Sequence, residues 1–183
     1  MERLSLIVGT FLCHQLPERS FAFGGVQFPV CARCTGMYTG LILALIILFV
    51  LYRGAQRCGW PSLPYLTFAV IAVIAIVLDW TTTFLGLRSG SNELRLLTGT
   101  MLGVALSYPI YTMLVDSLVK NSVRERPLVA LRDVLLWLAA VPAALAWVYL
   151  SGLVLGPFAA LVQVAFILVT FGLLIAILIG LFL

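Results

Sequence analysis

The stretch CHQLPERSFAFGGVQFPVCARCTG, residues 13–36, gathers three of the chain's four cysteines and its single histidine. Cys13, His14, Cys31 and Cys34 follow a C-H-x16-C-x2-C spacing. A C-x2-C pair sets two thiolates on one turn within reach of a single ion, and a further Cys or His completes a tetrahedron. Gly24, Gly25 and Pro29 lie between the two halves and let the chain double back. Zinc is the natural occupant of such a donor set. Neighbouring residues seldom both ligate one ion, because their side chains diverge. Either Cys13 or His14 therefore serves as third ligand, and the other takes a different role. Two readings stand beside zinc. One is a Cys31–Cys34 redox pair or a disulfide to Cys13. The other is a set of buried cysteines with a satisfied histidine. Cys58 lies apart and reads as a small apolar residue.

A second polar stretch, DWTTTFLGLRSGSNELRLLTGTMLG, covers residues 79–103. Asp79 falls about two turns inside an apolar segment, where a carboxylate is costly and faces a polar cavity or a cationic partner by default. Arg88, Asn92 and Arg95 are its nearest candidates. Asp79 reads as a catalytic carboxylate or as an ion pair fixing two helices. Arg19, Arg33, Arg88, Asn92 and Arg95 together form a donor-rich set suited to phosphate or carboxylate.

The elements that must position these groups are membrane helices. The 183 residues are 63% hydrophobic and 10% charged, with a mean hydropathy of +1.16. The apolar runs are continuous rather than alternating. A bilayer crossing needs about 20 apolar residues, and only helices or closed barrels satisfy the backbone there. The expected fold is an all-α polytopic bundle in one integral membrane domain, residues 1–183. Five spans are expected at 35–52, 65–87, 96–119, 134–150 and 158–183. Residues 4–12, LSLIVGTFL, are too short to cross and read as an interfacial or re-entrant helix. The net charge of +4 sits in connecting segments. It reads as topology and contact with membrane lipid rather than nucleic-acid binding.

Five spans put segments 13–36, 88–95 and 151–157 on one face and 53–64 and 120–132 on the other. Arg53, Arg57, Lys120, Arg124, Arg126 and Arg132 mark the second face, and Arg3, Arg19, Arg33, Arg88 and Arg95 the first. Four of the first group belong to the polar motifs, so the positive-inside rule places the Cys/His face outside the cytoplasm. Gly36 and Gly40 open the first span, and Gly99 and Gly103 the third, both at the G-x-x-x-G spacing of close helix approach. Packing these faces together brings Cys34 and Arg33 beside Arg95 and Asn92. Gly152, in the expected loop after the fourth span, is a neutral position on this reading.

The motifs CHQLPERSF, QFPVCARCTG and SNELRLLTG resemble those shared by a prokaryotic family of polytopic membrane proteins catalogued as a domain of unknown function. The resemblance covers roughly residues 13–103, and the last two spans are generic. It implies a prokaryotic cell membrane and one site built from both motifs, and it implies no activity.

Three classes of function are compatible with these residues. The first is a metal-dependent membrane protein acting on an anionic, lipid-linked or phosphate-bearing substrate, with His14 or a metal-bound water moving protons. The second is a thiol–disulfide or quinone-linked oxidoreductase with Cys13 as resolving thiol. The third is a small transporter or channel, with Asp79 as coupling carboxylate and the chain acting as a homodimer. Whether the protein is an enzyme stays open at the level of sequence.

Overall fold

The computed structural model describes residues 9–10, 12–53, 57–118 and 124–182. The expected helix at 4–12 falls mostly outside the described residues; at its end, Cys13 N donates to Gly9 O at 2.9 Å. Six helices follow. They are α1 (Ala32–Leu51), α2 (Leu63–Phe84), α3 (Asn92–Leu118), α4 (Leu131–Leu138), α5 (Ala140–Leu155) and α6 (Ala159–Phe182). The fold is all-α, with four stretches long and apolar enough to cross a bilayer.

The last of those stretches, Leu131–Gly180, is 50 residues long. As one helix it would measure about 75 Å, well over twice the hydrocarbon thickness. It is divided at Gly156, whose φ of 52° suits glycine. The contacts on either side fix the reversal. Trp137 in α4 donates to Ser107 in α3 at 3.0 Å, while Gly152 in α5 lies against the Phe23 ring. Past the turn, Gln163 Nε2 donates to Thr35 O near the start of α1 at 3.2 Å. Further on, Gly180 meets Ser117 near the end of α3. α4 and α5 therefore run as one pass with a break at Ala139, and α6 returns. The turn is shorter than the sequence suggests: residues 151–155 are helical, and only Gly156–Phe158 reverse the chain.

The centre of the bundle is the α1–α3 pair. A Cβ at Gly36 would collide with Leu96 O and Thr100, one at Gly40 with Thr100, one at Gly99 with Arg33 backbone, and one at Gly103 with Met37 O. Both G-x-x-x-G faces thus meet each other, as the spacing anticipates. Gly152 is not the neutral position expected of it: it sits in α5, with no room for a side chain beside Phe23. Around this seam, Leu45, Leu48, Val104, Tyr108, Tyr111 and Trp137 form the main core. α2 packs against α3 at the margin. Its buried residues are Ala72 and Asp79 alone.

A small antiparallel hairpin, β1 (Ala22–Phe23) and β2 (Val26–Gln27), closes one end of the bundle. Gly24 and Gly25 have φ of 56° and 77°, the left-handed pair that a tight two-residue hairpin turn requires. Phe21, Phe23 and Val26 from this segment pack on buried Phe28, Leu96 and Val148. The hairpin spans the gap between Cys13 and Cys31 and returns the chain onto the N-terminus of α1.

Candidate functional site

The hairpin brings three sulfurs together. The Sγ atoms of Cys13, Cys31 and Cys34 lie within 4.8 Å of one another. Cys31 caps α1, and its backbone N–H points at Cys13 Sγ at 3.4 Å. Hydrogen bonding by Cys31 and then Cys34 holds the Cys13 thiol far below its ordinary range. The same bond to Cys13 pushes Cys31 upward. His14 is exposed and is not part of the group of converging ligand atoms.

Two glutamines escaped the sequence reading and hold this segment in place. Gln15, in the left-handed region with φ 48°, donates from Nε2 to Pro29 O at 2.9 Å. Gln27 Nε2 donates to Gln15 O at 3.0 Å. These bonds tie the Cys13 limb to the Cys31 limb across the hairpin. The available signal was position: Gln15 directly follows Cys-His, and Gln27 precedes the Phe-Pro of the return limb. Gln163 was also missed. It is a lone amide in an apolar span, and Thr39 donates to its Oε1 at 3.3 Å.

A cavity of about 320 Å³ opens beside the sulfurs, lined by Cys13, His14, Gln15, Arg19, Cys31, Arg33 and Arg95 together with Leu12 and Leu16. Segments 13–34 and 88–95 therefore do meet at one site. Arg33 reaches it from the first turn of α1 and Arg95 from the first turn of α3. Their approach follows from Gly99, which lies under the Arg33 carbonyl. A larger cavity of about 420 Å³ lies at the other end of the bundle, beside Cys58, Asp116 and Arg124. Its opposite charges offset, and among the described residues no donor set converges there.

Asp79, Arg88 and Asn92 stand behind this cavity rather than in its lining. Arg33 donates from Nε at 2.9 Å, and also from Nη2, to Asp79 Oδ2. Arg88 Nη2 donates to Asp79 Oδ1 at 2.5 Å. The Asp79 side chain is 1% exposed. Both of its oxygens are occupied by guanidinium groups, which is the arrangement of an ion pair fixing two helices. Asn92 Oδ1 accepts from Arg95 Nη1 at 3.1 Å.

Comparison with known proteins agrees with a membrane assignment. Residues 13–109 match a family described as "Predicted membrane protein (DUF2085)". The chain is 35% identical over 114 residues to an uncharacterized protein of Methanocaldococcus jannaschii, covering 62% of this chain and 70% of that one. It is also 35% identical over 100 residues to an uncharacterized protein of Methanothermobacter thermautotrophicus, covering 53% and 82%. No solved structure matches. The matched stretch contains the three-sulfur cluster, Asp79 and Arg95, and the chain belongs to the predicted membrane protein family DUF2085.

Proposed function

We propose that this membrane protein holds a zinc-type ion on Cys13, Cys31 and Cys34 and acts on an anionic, phosphate-bearing substrate in the adjoining arginine-lined cavity. One observation carries the reading: three sulfurs lie within 4.8 Å of one another, and two of their residues, Cys13 and Cys31, line a cavity with Arg19, Arg33 and Arg95. The donor set fits the ion. Three thiolates suit zinc, and a three-ligand protein site leaves one position for another group. His14 lines the cavity without joining the converging ligand atoms, and its role on this reading is to handle protons beside the open position. When bound, the ion supplies a Lewis acid next to the arginines. Arg19, Arg33 and Arg95 bind and orient the anion, and Asp79 and Arg88 hold Arg33 in place behind it.

The test is elemental analysis of purified protein combined with free-thiol counting. About one zinc per chain is expected, lost in Cys31→Ser and Cys34→Ser and retained in Cys58→Ser. Equal metal content in Cys31→Ser and the parent overturns the metal centre. A metal-free protein with a disulfide between two of the three clustered cysteines favours thiol–disulfide chemistry, the second reading, for which the same sulfur proximity is the supporting observation.

A further inference from the structure

We propose that the cavity is a site for a phosphate monoester: its charge selects a dianion, and Arg95 is the principal residue that binds it. This rests on the anionic-substrate reading above and narrows it to one class.

Arg95 carries the inference. It is 6% exposed and lines the cavity beside Arg19 and Arg33. Among the described residues its side-chain partner is the uncharged Asn92 oxygen. The ion pairs among those residues join Arg33 and Arg88 to Asp79 and Arg57 to Glu125; none includes Arg95. A buried guanidinium without a direct ion-pair contact is costly at a membrane margin. Arg95 Nη2 lies over Gly90, in the space a Cβ there would take. The loop therefore makes room for a cation and supplies no anion to it.

The local charge sets the class of ligand. Arg19, Arg33 and Arg95 in the lining carry three positive charges, the Arg88–Asp79 pair behind them is neutral, and the exposed Glu18 and Glu93 are not in the lining. A divalent ion on three thiolates removes one more and leaves two. Carboxylates and phosphodiesters carry one negative charge, whereas a phosphate monoester carries about −1.5 to −2 at pH 7. A monoester also offers three terminal oxygens to guanidinium forks. The same headgroup chemistry occurs on a lipid of the phosphatidic-acid type and on a soluble monoester.

The experiment uses the zinc-loaded full chain in nanodiscs of zwitterionic lipid, with calorimetric titration of phenyl phosphate, dimethyl phosphate and acetate. Phenyl phosphate should bind roughly tenfold to a hundredfold more tightly than the two monoanions. Arg95→Gln should abolish that preference and leave zinc content unchanged. Gly90→Ala, which crowds the guanidinium from outside, should weaken phenyl phosphate binding even if Arg95→Gln does not fold. Nanodiscs doped with phosphatidic acid or phosphatidylglycerol separate the sources. Stabilisation by phosphatidic acid alone assigns a lipid substrate, and binding of soluble phenyl phosphate alone assigns a soluble one. Equal affinity for monoester and monoanions, or phenyl phosphate binding unchanged in both variants, overturns the proposal and leaves the anion site standing. Failure of every anion to bind overturns the anionic-substrate reading as well.

Discussion

Cys13 is the residue on which the site's proton balance turns. Hydrogen bonding by Cys31 and then Cys34 lowers the pKa of its thiol, whereas the same bond to Cys13 makes Cys31 hold its proton more firmly than an ordinary thiol. Loading an ion must displace that proton, so metal affinity falls as pH falls, by about tenfold per unit for each proton displaced. Competition with a chromophoric chelator across pH measures this, and a flat profile contradicts it. The same titration in His14→Ala reports on the histidine. The three sulfurs converge without it, so His14→Ala should retain the ion with at most modest weakening. Loss of the ion to the extent seen in Cys34→Ser would make His14 a ligand. The spacing made the three cysteines legible but left His14 undecided, because adjacent side chains point apart and only the fold shows which one turns inward.

At the scale of elements, the α1–α3 seam places the arginines, and its tolerance is small. Gly99→Leu forces a side chain into the Arg33 backbone, and overpacking of this kind costs about 1–3 kcal/mol or more. The variant should lower the melting temperature and disturb metal retention without removing a ligand. Gly172→Leu is the matched control, because nothing lies within 4 Å of its Cβ position. Equal effects of the two substitutions would contradict the seam. The glycine spacing made this packing readable in advance, as did the apolar runs for the helices themselves. The boundaries were harder. Residues 151–155 looked like a loop because Ser151 and Gly152 are poor helix formers, yet both are buried and tertiary packing overrides propensity. Asp79 was visible as a misplaced carboxylate. Its two partners come from opposite sides, one of them 46 residues earlier in the chain, and no local pattern shows that.

For the whole molecule, the two ends differ in chemistry. One end holds the sulfurs, the hairpin and the arginine cavity. The other carries Arg57 paired with Glu125 at 3.2 Å and the exposed Arg124 and Arg126. Basic residues free of site duties favour the cytoplasmic side, and on that rule we propose that the sulfur end lies outside. A membrane-impermeant maleimide applied to intact cells should then label Glu18→Cys, at the exposed turn beside the cavity, above the background of the native cysteines, and leave Arg126→Cys at that background. The opposite pattern would reverse the orientation and leave the chemistry of the site intact.

The ion pair of Asp79 with Arg88 also bears on how the protein is made. The two residues lie nine positions apart, at the end of α2 and in the turn after it, so they emerge from the ribosome together. α2 has little else to bury, and it must partition into lipid before α3 exists to receive it. An aspartate at a helix centre raises insertion cost by up to about 2.5–3.5 kcal/mol, a penalty that a neutralising arginine on the same nascent segment would reduce. Biogenesis of α2 is then self-sufficient, and Arg33 needs only to close the bridge later. In a translocon insertion assay on residues 63–90, Arg88→Ala should lower the inserted fraction, and Asp79→Asn combined with it should restore it. If Arg88→Ala inserts as well as the parent segment, Asp79 enters the bilayer without this help.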